Sequence, residues 1–213
     1  MSVNKLLIVG AGGFGREVHR WLSDWVLQNQ GWKIAGFIND GPGSVARFSH
    51  YPPVVSSIDE YQPEPDEYLL CAIGSPADRR KVVEKLQAKG ARFFTLIHPS
   101  AIVGENVAVG QGAIICPLTV LTADLIIGDF AILNISCVVG HDAAVGAFST
   151  LSPHCNVAGA GVLEDEVFMG TNACVLPGVR VGHQSVIGAG SVVLRNVASC
   201  TTAFGVPAKS ISR

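Results

Sequence analysis

From Val103 to Val193 an apolar residue stands at every sixth position, sixteen in succession without a slip: Val103, Val109, Ile115, Leu121, Ile127 and on through Ile187 and Val193. No helix has a period of six, and an ordinary strand alternates in twos. A fixed repeat this short marks a solenoid, and six is the period of a hexapeptide β-helix. The position four residues after each anchor is small or apolar as well, from Val107 and Ala113 through Cys137 and Cys155 to Val197, with no charge among them. Two inward positions per unit make a short strand and a turn, and three units close a triangular coil. Stacked at the ~4.8 Å strand spacing, sixteen units give about five coils and a prism about 25 Å long. Glycine follows the anchor at 104, 110, 128, 140, 146, 170, 182 and 188, which predicts a positive φ at those corners. The general rule for β crossovers favours a right-handed turn, and the period alone does not decide the hand. A bare scaffold would also fit the repeat, but this coil carries polar residues at non-repeating places.

Composition excludes several classes. The chain of 213 residues has a net charge of −2 and no basic run, so no nucleic-acid partner is expected. No apolar stretch is long enough to span a bilayer, so no membrane partner is expected. The N-terminus runs as a strand into a glycine loop rather than as a signal peptide. The six cysteines form no Cys-x-x-Cys pair, so zinc and thioredoxin readings fail and no metal site is expected. Together these predict a reduced, cytoplasmic protein.

Residues 1–97 read as a separate α/β domain, followed by an all-β solenoid domain over 98–213 with a C-terminal tail. Strands are expected at 3–10, 33–38, 68–73 and 91–97, helices at about 16–28 and 77–89, and a loop from Asp40 to about residue 57. This is a βαβ pattern with a parallel sheet. Gly10-Ala11-Gly12-Gly13-Phe14-Gly15 joins the first strand to the first helix, a loop whose backbone N–H groups favour phosphate. Alone it suggests NAD or NADP. However, only about half a dinucleotide fold precedes the solenoid and no hydride-transfer domain follows, so no NAD is expected. A nucleotide diphosphate carried by the substrate explains the same loop, as does a glycine turn needed only for packing.

The sharpest local feature is Gly140-His141-Asp142. His141 lies two residues after an anchor, at a corner, pointing outward, and the adjacent carboxylate can orient its imidazole as a general base. His183 holds the same hexapeptide register but is followed by Gln184 and falls seven units on, away from His141. Gly159, one coil beyond His141, offers an unhindered N–H to an oxyanion.

The chain as a whole resembles the bacterial sugar O-/N-acyltransferases, the nucleotide-4-amino-sugar N-acetyltransferases and sialic acid O-acetyltransferases. The resemblance rests on Gly10–Gly15, Phe37-Ile38-Asn39-Asp40, Ala72-Ile73-Gly74, Ile97–Ala101, Gly140-His141-Asp142, Val175–Gly178 and Gly205–Lys209. It implies a Rossmann-like nucleotide-sugar domain joined to a left-handed parallel β-helix, with acetyl-CoA as co-substrate. It implies catalysis by His141 and Asp142. Gly12, Gly13, Phe14, Asn39, Asp40, Gly74 and Ser75 would contact the nucleotide, UDP favoured and GDP possible, and Asn134 the sugar. Gly159, Thr171, Ala189, Pro207 and Lys209 would line the acetyl-CoA groove, with Thr150 standing where some members place a second histidine. Members are homotrimers, and the outward Ile114, Ile126, Ile132, Val138 and Phe168 would be too exposed on a lone prism. The implied reaction is N-acetylation of a nucleotide-linked 4-amino-4,6-dideoxy sugar. Sugar O-acetylation and a catalytically silent nucleotide-sugar scaffold are the alternatives.

Overall fold

The computed structural model describes residues 3–41 and 44–211. Residues 42 and 43 of the loop expected after Asp40, and the last two residues of the tail, lie outside the described residues. The chain divides into two compact units, Met1–Pro99 and Ser100–Arg213. Among the described residues no helix is long and apolar enough to cross a membrane.

In the first unit, β1 (Asn4–Val9) is buried along its whole apolar run from Leu6 to Val9. A continuous rather than alternating run is the signature of a parallel strand covered on both faces. α1 (Gly13–Gln28), β2 (Trp32–Ile38), β3 (Val54–Ser56), β4 (Glu67–Cys71) and α2 (Pro76–Ala88) follow. The sheet order is β3-β2-β1-β4, and every pairing is parallel. α1 buries Val18 and Leu22, while Trp25 meets Phe94 edge-on at 4.7 Å and Trp32 at 5.8 Å. Two expectations change. β3 lies inside the segment expected to be loop; three residues behind Pro52-Pro53 are too few to show alternation. The strand expected over 91–97 shrinks to a bridge between Leu69 and Phe93 and a two-residue β5 (Leu96–Ile97).

The second unit is a parallel β-helix of two-residue strands on three faces, left-handed. The first face stacks Ile102–Val103, Val120–Leu121, Val138–Val139, Asn156–Val157, Cys174–Val175 and Val192–Val193. The second runs from Ala108–Val109 to Arg180–Val181, and the third from Ile114–Ile115 to Val186–Ile187. Stacked partners are 18 residues apart throughout. Anchors from Ile115 to Val193 are at most 1% exposed, and only Val103, on the open first coil, rises to 41%. After Val193 the register shortens: Val197 bridges Val181, and Thr202 pairs with Val186. The strand Thr202–Gly205 then turns back as an antiparallel hairpin with Ala208–Ile211.

The corner geometry corrects the glycine expectation. Positive φ falls on the third residue after the anchor, and most of those residues are not glycine: Asn106, Leu118, Asp124, Phe130, Ser136, Asp142 and their successors to Gln184 lie between 52° and 62°. The glycines directly after the anchors answer a different demand. A Cβ on Gly104 would lie 1.6 Å from the Thr122 carbonyl oxygen, and one on Gly128 2.5 Å from the Ala147 nitrogen. The backbone of the next coil passes over them, leaving no room for a side chain. The left-handed residues cost about 1–2 kcal/mol each and recover inter-coil hydrogen bonds, such as Phe148 N–H to Asp129 O at 2.8 Å.

Polar atoms inside the prism are paired. Ser149 Oγ donates to Glu164 O at 3.0 Å, Ser185 Oγ to Ala198 O at 2.8 Å, and Cys155 Sγ to Gly170 O at 3.1 Å. Small donors at the second inward position thus satisfy turn carbonyls of the following coil. Of the outward residues expected to be too exposed, Ile114 and Ile132 are already buried, at 1% each. Val138 and Phe168 are half-buried, and Ile126 remains 60% exposed.

Gly128→Ala should overpack the coil contact by about 1–3 kcal/mol and lower the melting temperature by several degrees. Gly74→Ala, where a Cβ meets nothing within 4 Å, should leave it within about a degree. Paired thermal melts followed by circular dichroism check both.

Candidate active site

The corner between the first and second faces carries His141 and Asp142. Val139 points inward, Gly140 lets the next coil close in, with a Cβ there 2.6 Å from Gly159 N, and the chain turns through His141 and Asp142 before Ala143 points inward again. Asp142 takes the left-handed position, φ 59°, which a short carboxylate tolerates better than a bulky side chain. That turn brings Asp142 Oδ2 to 2.7 Å from His141 Nδ1. The pairing assigns the imidazole proton to Nδ1 and leaves Nε2 with a free lone pair.

Gly159 lies beneath the ring. A Cβ built on it would stand 2.7 Å from His141 Nε2 and 2.8 Å from Cε1. Its φ is not left-handed, so glycine is needed here for space alone. The Gly159 carbonyl accepts from Gly178 N at 3.0 Å, whereas its own N–H has no acceptor among the described residues. A proton acceptor and a free backbone donor thus sit side by side on an open corner. His141 is 71% and Asp142 65% exposed.

The other expected residues are distributed over the prism. Asn134, Thr171 and Ala189 stand on the corner between the third and first faces, not on that of His141 and Gly159. Asn134 Oδ1 accepts the Ile135 N–H at 2.8 Å. Thr150 lies on the third face and is buried. Pro207 and Lys209 belong to the terminal hairpin. A single prism therefore brings together His141, Asp142 and Gly159 but divides the expected acetyl-CoA residues between two corners. His183 occupies the third corner, where its N–H donates to Glu164 Oε2 at 2.9 Å. The Arg180 guanidinium bonds the same carboxylate, and the two donors hold Glu164 below the usual carboxylate range. His183, Glu164, Asp165 and Ile126 line a groove of about 540 Å³ that does not include His141.

In the first unit, Gly10 has φ 102°, and a Cβ on Gly15 would lie 2.0 Å from the Gly10 carbonyl oxygen. The first turn of α1 is thereby pressed onto the loop. α1 has neither a side-chain cap nor an acid in its first turn, so its positive end stays open toward the loop. A Cβ on Gly12 would meet nothing. Phe14 packs edge-on against Trp21 at 6.0 Å. Asn39 Oδ1 accepts the Ala11 N–H at 3.0 Å, bracing the loop, and Asp40 Oδ1 accepts the Ile58 N–H at 2.9 Å. Ser75 caps α2, accepting from Asp78 N at 3.4 Å.

Sequence reasoning missed Arg79. It is 1% exposed, and its Nη1 donates to Ile73 O at 2.7 Å and Gly74 O at 3.2 Å, fixing the loop after β4. The first residue of Arg79-Arg80-Lys81 in a polar helical stretch carries no sign of burial. Burial pushes the Cys71 thiol up to about 12, far from a reactive thiolate.

Comparison with known proteins fits both units. Residues 5–86 match the PglD N-terminal domain, and residues 162–195 match the hexapeptide repeat of succinyl-transferase. The GDP-perosamine N-acetyltransferase of Escherichia coli O157:H7 is 29% identical over 183 residues, 86% of this chain and 82% of that protein. Among solved structures, the acetyltransferase domain of PglB from Neisseria gonorrhoeae FA1090 in complex with acetyl coenzyme A is 30% identical with a TM-score of 0.87, covering 99% of this chain and 100% of that one. PerB from Caulobacter crescentus in complex with CoA and GDP-perosamine is 30% identical with a TM-score of 0.85, covering 99% of both chains. The chain belongs to the PglD-type family of hexapeptide-repeat acetyltransferases.

Proposed function

We propose that this acetyltransferase moves the acetyl group of acetyl-CoA to the amine of a nucleotide-linked 4-amino-4,6-dideoxy sugar, with His141 as general base and Asp142 as the carboxylate that orients it. The observation that carries the reading is the imidazole anchored at Nδ1 and packed closely on the Gly159 backbone, whose N–H has no acceptor among the described residues. The sugar amine attacks the thioester carbonyl carbon and gives its proton to Nε2. The carbonyl oxygen becomes an oxyanion, which the Gly159 N–H meets. The carbon–sulfur bond then breaks, and the imidazolium returns the proton to the departing thiolate. A positioned base supplies about 10²–10⁴ in rate, a backbone oxyanion donor about 10²–10³, and the rest comes from holding both substrates. No acyl-enzyme is required.

The open end of α1 and the bare Gly12-Gly13 backbone suit a pyrophosphate, with Phe14, Asn39, Asp40, Gly74 and Ser75 at the neighbouring loop and strand ends. The sugar nucleotide named with the Caulobacter crescentus PerB structure is GDP-perosamine, so GDP takes first place in the acceptor series, ahead of the UDP expected from sequence. A homotrimer accounts for the expected acetyl-CoA residues lying on two corners, since one prism's Thr171 and Ala189 can face the next prism's Gly159. Acetyl-CoA as donor supports action in the cytoplasm.

Free thiol released from acetyl-CoA should appear with a GDP- or UDP-linked 4-amino sugar. Turnover confined to sialic acid would move the chain to O-acetylation, and nucleotide binding without thiol release would make it a silent scaffold. His141→Ala should lower kcat by about 10²–10⁴ with an unchanged melting temperature, because the side chain is exposed. Gly159→Ala should cost at least about tenfold in kcat, since its Cβ collides with the imidazole and with little else. A Gly159→Ala protein with wild-type kcat would show that the close approach of this backbone to the His141 ring is not needed for turnover.

A further inference from the structure

Lys89 closes α2, and its side chain is anchored at both ends. At the backbone, Gly90 N–H donates to Gln87 O at 2.8 Å and Ala91 N–H to Leu86 O at 3.1 Å, with Gly90 at φ 85°. This is the glycine-closed helix end that fixes the residues around it. At the other end, the Lys89 ammonium donates to Ile58 O at 3.1 Å, Asp59 O at 2.5 Å and Tyr61 O at 3.1 Å. An ammonium has three donors, and here all three go to the backbone of one turn. Lys85 also reaches that turn, but only through the side chain of Asp59, in an exposed pair.

The turn needs such support. Tyr61 N–H donates to Ser57 O at 3.1 Å. Ser57 Oγ accepts the Glu60 N–H at 3.1 Å and donates to Glu60 Oε2 at 2.9 Å. A single helical turn fixes several backbone angles for one hydrogen bond and is unfavourable by itself. It is held at its two ends instead. Lys89 takes the carbonyl end, as suits a cation, and Asp40 Oδ1 accepts the Ile58 N–H at 2.9 Å at the other. Ile58 thus carries both contacts, its N–H on Asp40 and its carbonyl on Lys89. Asp40 is exposed just past the end of β2, the strand end at which an acid meets the ribose of a nucleotide in this kind of sheet. Its Oδ2 has no partner among the described residues.

We infer that Lys89 is a positioning residue for the acceptor: it closes the turn Ser57–Tyr61 and, through the Ile58 N–H, fixes the Asp40 carboxylate for the ribose hydroxyls of the sugar nucleotide. With Lys89 in place the turn is ordered before the nucleotide arrives, and Asp40 keeps one oxygen occupied and one open. Without it, binding has to order the turn and the carboxylate together. The inference rests on the nucleotide-sugar reading and goes further by naming a residue that sets acceptor affinity without touching the acceptor.

Lys89→Met tests it, with GDP and UDP as ligands and their 2′,3′-dideoxy analogues as probes of the ribose contact. Calorimetric affinity for whichever nucleotide the wild type binds should weaken about three- to tenfold, the cost of ordering a side chain and its turn on binding. Affinity for the dideoxy analogue should match that of the wild type. In turnover, KM for the sugar nucleotide should rise by the same factor, with kcat and KM for acetyl-CoA within about twofold. In an Asp40→Ala background the substitution should add no further loss. Lys85→Met removes a positive charge from the same turn and should leave nucleotide affinity unchanged, since an exposed pair contributes little. Should Lys89→Met melt early, Lys89→Gln, which keeps a donor, should show the same pattern in smaller measure. Wild-type nucleotide affinity in both Lys89 variants overturns this inference alone. So does an equal loss with the nucleotide and its dideoxy analogue, or an equal loss in Lys85→Met. Wild-type protein that binds neither nucleotide overturns the nucleotide-sugar reading as well.

Discussion

Between successive coils, Gly140 N–H reaches Val157 O at 2.8 Å, Asn134 N–H reaches Leu151 O at 2.9 Å, and Gly146 N–H reaches Leu163 O at 2.8 Å. The same bond recurs at each corner and carries the second unit. It demands that neighbouring coils run at strand spacing through their turns as well as through their strands. Everything near those bonds must then be small. Glycine follows many of the anchors for that reason, and short hydroxyls and thiols fill the second inward row. A unit with so few polar side chains inside keeps them paired by letting them bond the turn carbonyls of the next coil.

The same constraint shapes the corner proposed as the active site. Because the next coil passes so close, a side chain on one coil can rest on the backbone of another. His141 does so on Gly159. Its position is set from two directions: the carboxylate of Asp142 holds one ring nitrogen, and the neighbouring coil supports the ring from below. Neither contact depends on a deep pocket. Both partners are more than half exposed, and the precision comes from register. In the proposed reaction, an imidazole held in this way would need little rearrangement when substrate arrives, which is the condition under which positioned groups are most effective.

Much of this was legible in the residues. The period of six gave the coil, the faces and the inward rows, and 18-residue arithmetic placed Gly159 beside His141. The adjacent acid singled out His141 from His183. What the residues did not yield were matters of spacing and environment. Glycine after an anchor looks the same whether it serves a positive φ or a close approach, and only the distance to Thr122 or Ala147 separates the two. β3 is too short to leave a pattern. Ile114 and Ile132 read as exposed because a period says which way a side chain points and not what covers it. Arg79 is buried by reaching back to two carbonyls, a contact between the end of one strand and the helix after it that no local pattern records.

The shortening of the last coil has a meaning for the molecule as an object. A solenoid of identical turns presents, at each end, an unpaired row of backbone groups that matches its own interior, and is therefore a template for another copy. Here the final turn falls two residues short of the lattice below it, and the hairpin through Gly205 ends the third face with one parallel strand and an outer antiparallel one. A coil arriving from a second molecule would find its partners out of step and one edge already taken. The irregularity at Val197 thus works as a terminus: it sets the length of the prism and guards it against growing end to end into fibres.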